Sequence, residues 1–437
     1  MQGPLTVTLP SLRNDLLHII RAGVDAVSAR RVVDRALGDR DLSTVLTTHP
    51  LHVVAVGKAA AAMAAAFVAL PDVSIVRAIA IGTHRHETMP VMVEWIASSH
   101  PFPDDRSEAA GARALAVAEA VQPGDVMVIL LSGGASALMA SPLAGLSLAD
   151  KIGATRQMMS AGADIHALNT VRRHLSRVKG GRLAAACAGR TVTLAISDVV
   201  GDDLNAIGSG PGVPDDSTWA DAAGALRRFG GPMHSAHVRA LVQRGVDGEI
   251  PDTPKPGHPS LRRARAQVIG SRVDAMAGAS AAAAARGYHP IVVEAPVVGE
   301  ARDMSPAWLD QVRMLSAGAR RPVCVISSGE TTVRVSGTGT GGRNLEFVLA
   351  IAERLAAAGG AVAAASIGTD GIDGTSDVAG AIVDSTTMTR ARAAGLDAPS
   401  HFLATNDSFA FFAPLDDVVR LGRTETNVGD LQVILSE

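Results

Sequence analysis

Six glycine- or aspartate-bearing loops, each following a short apolar run, carry the residue types of anion and metal chemistry. After residues 52–56 (HVVAV) comes Gly57-Lys58; after 125–131 (DVMVILL) come Ser132, Gly133, Gly134, Ala135 and Ser136; after 191–196 (TVTLAI) come Ser197-Asp198 and Asp202-Asp203. The later half adds 327–330 (SSGE), 337–344 (GTGTGGRN) and 368–374 (GTDGIDG). Glycines between a strand and a helix let backbone N–H groups approach a phosphate or carboxylate at the positive end of the helix. An ordinary tight turn is the alternative for 132–136. Asp198, Asp202, Asp203, Asp370, Asp373 and Asp377 have the placement used to hold Mg²⁺ by one or two carboxylates plus substrate oxygens. N-caps and Asx-turns account for such residues equally well. Asp198 and Asp370 stand nearest their strands and are the favoured pair.

The cations narrow this further. Only four of the 40 basic residues are lysine: Lys58, Lys151, Lys179 and Lys255. In a chain that otherwise uses arginine, a lysine marks either chance or a site wanting a compact ammonium. Gly57-Lys58 is not a Walker A loop, since His52 and Ala59 fill the places of the required Gly and Ser/Thr. A lysine at a strand end can nonetheless neutralise a migrating phosphoryl group. Asn169, Arg172 or Arg173, Ser176 and Lys179 recur at helical spacing, as a solvated stripe or a face turned to a ligand. Gly337, Gly339 and Gly342 formally satisfy G-x-G-x-x-G. The next strand-end acid, Asp370, lies beyond the expected spacing of about 20 residues, so a glycine loop delivering Arg343 to a phosphate fits better than a dinucleotide site. His84 and His86 lack a third ligand, His100 included, and read as surface histidines.

The elements that must position these residues alternate between strand and helix, which implies a mostly parallel sheet in an α/β fold. With 437 residues, two domains are expected. The texture shifts to Pro- and Gly-rich between about 211 and 258, which reads as a linker with helical segments. A second α/β series starts at QVIG, and residues 164–187 read as one long helix. The domains expected are 1–235 and 236–437. Only 3% of residues are aromatic, so Ala, Val, Leu and Ile must fill the core. A net charge of -3 leaves no basic field for nucleic acid. Cys187 and Cys324 sit far apart in apolar surroundings and read as buried thiols of a reducing compartment. The opening residues lack a signal pattern, and 59–70 is too short to span a bilayer, so a cytoplasmic protein without membrane partners is expected, with homo-oligomerisation left open.

Taken in order, the blocks VGKAAAAMA, HPFPDD, LLSGGASAL, LNTVRRHLSRVKGGRLA, ISDVVGDDLNAIGSGPGVPDDST, SSGETTVRVSGTGTGGRNLEFVLA, GTDGIDGTSDVAGAIVD, TNDSF and TETNVGDL resemble the glycerate 2-kinases of the MOFRL type, a family often confused with hydroxypyruvate reductases. The resemblance implies a Rossmann-like amino-terminal domain, a smaller carboxyl-terminal α/β domain and an active site in the cleft between them. It implies transfer of the γ-phosphoryl group of ATP to the 2-hydroxyl of D-glycerate, with Mg²⁺ or another divalent cation. Lys58 and Arg343 match the family's catalytic pair. Asp198 and Asp370, chosen for their place at strand ends, would hold the metal or accept the hydroxyl proton, in either order, with Asp198 also expected to be catalytic. Ser132, Gly133, Gly134, Ser136, Lys179, Gly339, Gly341 and Asn406 are expected to bind phosphate or substrate. Ala135, Leu345-Glu346 and 422–425 (GRTE) depart from the family's pattern, the last at the expected substrate rim. Two rival readings are an NAD(P)H-dependent hydroxypyruvate reductase and a non-catalytic binder of a small phosphorylated acid.

Overall fold

The computed structural model describes residues 9–437, so the reading of the opening as leaderless falls partly outside them. The chain divides into two compact units: residues 32–269, and residues 270–437 together with the amino-terminal segment up to Arg31.

The first unit is built on β1 (Pro50–Val56), β2 (Ser74–Gly82), β3 (Val93–Ala97), β4 (Val126–Leu131), β5 (Arg190–Ile196) and β6 (Ala264–Gly270), in the spatial order β3-β2-β1-β4-β5-β6. The pairs β2/β3, β1/β2, β1/β4 and β4/β5 are parallel, with Val54 opposite both Ile79 and Ile129. Every residue of β4 and all but the first of β1 are buried. Their sequences are accordingly continuous apolar runs rather than alternating ones, as strands covered on both faces require. Ala110, Ala114 and Val117 of the helix Asp105–Glu119 pack on Val54, Ile79 and Ile129.

Three expectations need correction here. QVIG does not open a second series: it is the end of β6 and closes one edge of the first sheet. The stretch read as linker contributes Trp219, Leu226, Val238 and Leu241 to a buried cluster shared with Met158 and Leu168. The long helix splits into Ile165–His174 and Arg182–Ala185; the chain between them passes through Gly180 and Gly181 at φ values of 55° and 77°, a left-handed conformation that a continuous helix does not contain, and Gly181 caps the second helix.

In the second unit, β7 (His289–Val292), β8 (Val297–Glu300), β9 (Val323–Thr332), β10 (Val362–Gly368), β11 (Gly380–Asp384), β12 (Val418–Val419) and β13 (Asp430–Ser436) form one sheet ordered β12-β11-β10-β13-β9-β7, with β8 also on β9. Only β7 and β8 run parallel to β9; the other pairs are antiparallel. One face of the sheet is covered by the helices Ala301–Ser316 and Arg343–Ala357 through Trp308, Leu309, Phe347 and Ile351. The other is covered by Arg272–Ala285 and the amino-terminal helix Leu9–Ala26, whose Leu12, Leu16, Ile19 and Ile20 lie on Ile367, Leu431 and Val433. Arg13 adds ion pairs of 2.5 Å to Asp384 and Asp417. The first helix thus belongs with the last strand, which chain order alone does not suggest.

Helix Leu9–Ala26 crosses Arg272–Ala285 so closely that a Cβ at Gly278 would lie 2.4 Å from the Ala26 Cβ and 2.9 Å from the Ala22 carbonyl oxygen. Neither atom can rotate away. Gly278→Val is therefore expected to destabilise by roughly 1–3 kcal/mol, seen as a Tm lowered by several degrees in a thermal melt. An unchanged Tm would mean that the two helices separate without cost.

Candidate active site

In the first sheet, the chain leaves β1 towards β2 and β3 on one side and later builds β4, β5 and β6 on the other. The point where the order reverses opens a crevice at the carboxyl ends of β1 and β4, the place where open α/β sheets take ligands. Lys58 follows β1 there, and the 132–136 loop follows β4. The two turns are joined by hydrogen bonds from Lys58 N to the Gly133 carbonyl oxygen (2.9 Å), from Ser132 N to the Val56 carbonyl oxygen (3.0 Å) and from Ala59 N to Ser132 Oγ (3.0 Å). Gly57 is required at this junction: its φ is 128°, and a Cβ would sit 2.1 Å from Ser132 Oγ. Ser132 is therefore not the anion ligand expected of it. It is fully buried, and both its backbone N–H and its hydroxyl are used to clasp the β1 turn.

Gly133, Gly134 and Ser136 do line a pocket of about 360 Å³, along with Asp198 and Lys179. Lys58 is exposed, and its Cγ lies 3.6 Å from where a Cβ would be at Gly134. The expected residues of this unit thus come together, Ser132 behind the surface and the others at it. The stripe along helix Ile165–His174 resolves the same way: Asn169 and Arg172 line the pocket, whereas Arg173 is turned to a 3.0 Å ion pair with Asp215. Lys179 is completely buried and donates from Nζ to the carbonyl oxygens of Ser136 (2.9 Å) and Met139 (3.3 Å). Burial, with Lys151 and Arg172 nearby, holds its ammonium well below the usual lysine range.

Lys151, one of the four lysines singled out by composition, also lines the pocket. It comes from the helix Leu148–Ser160, is 5% exposed, and its Nζ has no hydrogen-bond partner among the described residues. Burial and the nearby Arg172 and Arg182 push it down from the ordinary 10.5 to about 7. The native state then holds fewer protons than the unfolded chain between those two values, so the penalty for burying this lysine is full below the lower one and fades as pH approaches the upper. Lys151→Met is expected to raise Tm by several degrees at neutral pH, with the gain shrinking as pH is raised towards 10. Melting curves across that range check the sign; a lower Tm for the variant at neutral pH would refute it.

The second unit treats its glycine loop differently. Asn406 accepts at Oδ1 from the backbone N–H groups of Ser336 and Gly337 (both 2.8 Å) and donates from Nδ2 to Glu346 Oε1 (2.7 Å). Gly339 N donates to the Thr405 carbonyl oxygen, Thr340 N to Asp407 Oδ1 and Gly341 N to Thr375 Oγ1. These N–H groups are spent inside the protein. Gly339 and Gly341 are thus loop-packing residues rather than phosphate ligands, and Asn406 is the strut that holds the loop. The G-x-G-x-x-G match offers no free cradle to a pyrophosphate. The amino end of the following helix is also occupied, since Asp373 accepts from Asn344 N and Leu345 N.

Arg343, the first residue of that helix, donates from Nε to both oxygens of Asp430 (2.9 and 2.8 Å), and its Nη1 lies 3.5 Å from Glu330. Asp430 is fully buried, and burial raises its carboxyl pKa against the lowering effect of Arg343. About a third of the Arg343 side chain stays exposed. Asp370 Oδ1 accepts from Ile372 N at 3.1 Å, a turn-forming bond. No group of three or more His, Cys, Asp or Glu side chains poised for a metal occurs among the described residues. His100 lines the pocket of the first unit rather than joining His84 and His86. Cys187 and Cys324 are buried free thiols, and burial raises both pKa values. Among the described residues no helix is long and apolar enough to cross a membrane.

Residues 15–243 match the DUF4147 family, described as a domain of unknown function, and residues 323–430 match the MOFRL family. The chain is 34% identical over 426 residues to the D-glycerate 2-kinase of Thermotoga maritima, covering 96% of this chain and 97% of that one. It is 37% identical over 432 residues, 97% of this chain and 94% of the relative, to a provisionally named hydroxypyruvate reductase of Agrobacterium vitis. A crystal structure of glycerate kinase from Thermotoga maritima superposes with a TM-score of 0.86 at 33% identity, over 98% of this chain and 100% of that one. The chain belongs to the MOFRL-type glycerate kinase family.

Proposed function

We propose that the protein is an ATP-dependent kinase that phosphorylates D-glycerate at the 2-hydroxyl, giving 2-phosphoglycerate and ADP. The observation that carries this reading is the switch-point pocket, where a glycine loop bordered by the exposed Lys58 shares the lining with buried cations and one carboxylate, Asp198. Phosphoryl transfer asks a protein for positioning and charge neutralisation more than for covalent chemistry. Gly133, Gly134 and Ser136 would hold anionic oxygens, and Lys58 would neutralise the phosphoryl group in flight. Arg343 is the second proposed cation.

A divalent cation fits the donor chemistry of the pocket, because Mg²⁺ is commonly held by one or two carboxylates and substrate phosphate oxygens rather than by a full protein cage. Asp198 would be its protein ligand, and the ion would supply charge neutralisation on the phosphates when bound. Asp198→Asn is expected to lower kcat at least tenfold and to raise the Mg²⁺ concentration needed for half-maximal rate. An unchanged Mg²⁺ requirement would remove Asp198 from that role.

The reading is tested by incubating the purified protein with Mg²⁺, ATP and D-glycerate, following ADP and identifying the phosphorylated product by NMR. No ADP release would end it. Adding NADH with hydroxypyruvate is expected to leave the NADH absorbance unchanged, since the glycine loop's N–H groups at 337, 339 and 341 are already bonded within the protein.

A further inference from the structure

The pocket carries more positive charge than its own residues answer. Lys151, Arg172 and Lys179 all line it, and Asp198 is the one carboxylate among the lining residues. The three cations differ in what they have left to give. Lys179 Nζ is committed to two carbonyl oxygens of the loop after β4. Lys151 Nζ is buried with no hydrogen bond among the described residues. Among the described residues Arg172 has a single long bond, from Nη1 to Asn169 Oδ1 at 3.5 Å. A buried ammonium with three unused N–H groups is costly unless an anion completes it.

We propose that Lys151 and Arg172 form the acceptor-carboxylate subsite, binding the carboxylate of the hydroxy acid, while Lys179 is a positioning residue that fixes the Ser136 end of the glycine loop. The inference rests on the kinase reading above and deepens it. A carboxylate seated on Lys151 places the short carbon chain of the acid in the same pocket as Gly133 and Gly134, whose neighbour Lys58 carries the exposed ammonium. The division of labour follows from burial. Buried Lys151 and half-buried Arg172 face a charge that stays constant through the reaction, and the exposed Lys58 faces a group that moves. The same cations could instead take a nucleotide phosphate, and the two sources separate kinetically.

Binding of an anion to Lys151 would also draw a proton. The charged and titratable groups around it are Arg172, Lys179, Arg182, Glu108, His100 and Asp198. Burial lowers both Lys151, to about 7, and Lys179, but Lys179 Nζ already donates to two carbonyl oxygens, so Lys151 is the amine placed to take a proton when a carboxylate arrives in mildly alkaline solution.

The experiment compares wild type and Lys151→Met in steady-state kinetics, with D-glycerate and its uncharged amide, D-glyceramide, as acceptors. The expected result is a D-glycerate KM raised at least tenfold, an ATP KM within about twofold of wild type, and a preference for glycerate over glyceramide that collapses by a similar factor. Calorimetric titration of D-glycerate without ATP, in two buffers of different ionisation enthalpy at pH 8, should show proton uptake by wild type and none by the variant. Thermal melting shows whether the variant is folded; if it is not, Arg172→Gln carries the same kinetic test. An unchanged glycerate KM overturns the subsite. A raised ATP KM with glycerate unaffected overturns it too, in favour of a nucleotide phosphate. Failure of the wild-type protein to phosphorylate glycerate at all would instead sink the kinase reading.

Discussion

Lys58→Ala is expected to lower kcat by about a hundredfold or more while leaving Tm within a degree or two of wild type, the size of effect seen when one donor to a developing transition-state charge is removed. The local structure explains why activity and stability separate here. The backbone of residue 58 is anchored through its own N–H to Gly133, and the neighbouring Ala59 amide is anchored to Ser132, so the turn survives truncation of the side chain. The side chain itself is exposed, and surface truncations away from packed features shift stability little. Lys58→Arg is the sharper variant. A guanidinium keeps the charge but spreads it over a planar fork on a longer reach, so most of the loss should persist. ADP release under saturating ATP and glycerate reads both variants. Near-normal turnover in Lys58→Ala would show that the phosphoryl group is transferred elsewhere.

That Lys58 could be singled out from sequence follows from a compositional accident with chemical meaning. In a chain dominated by arginine, three of the four lysines sit in or beside one pocket: Lys58 at its glycine loop, and Lys151 and Lys179 in its wall. The fourth, Lys255, is tied to Thr253 and Asp252. The signal that could have found Lys151 was therefore on the page, but its burial depends on how the helix Leu148–Ser160 packs, which residue order does not reveal. The strands after which the loops sit were equally legible, because runs such as VMVILL are long enough and apolar enough to demand cover on both faces.

Pairing over long sequence distances was not legible. An apolar run has the same pattern whether its neighbour is parallel or antiparallel, so the second sheet's antiparallel centre could not be separated from a continuing parallel series. The amino-terminal helix shows an apolar face without showing which sheet will bury it. Glycine loops mislead for a related reason. GTGTGG and SGGAS look alike as sequences, yet the N–H groups of the first are consumed by Asn406, Asp407, Thr375 and Thr405, while the second borders an open pocket. Whether a backbone donor is available is a question about its partners, not about the glycine that exposes it.

Arg343 poses the harder test, because its removal should damage stability and catalysis together. Arg343→Ala leaves Asp430, fully buried, with the Asn344 amide and the Thr331 N–H as the remaining partners of its side chain among the described residues. Breaking a buried pair from one side typically costs about 3–5 kcal/mol, so a clear fall in Tm is expected alongside a kcat loss of about a hundredfold. A second substitution separates the two effects. Asn at position 430 carries no charge and keeps one acceptor oxygen, enough for the closer of the two donors, the Asn344 amide, so Arg343→Ala combined with Asp430→Asn should recover part of the lost Tm. If Arg343 touches the phosphoryl group, the double variant remains as inactive as Arg343→Ala. If Arg343 serves only to neutralise Asp430 and hold the helix Arg343–Ala357 in place, activity returns with the Tm. Thermal melts and ADP release on the four proteins of this cycle decide between a catalytic arginine and a structural one.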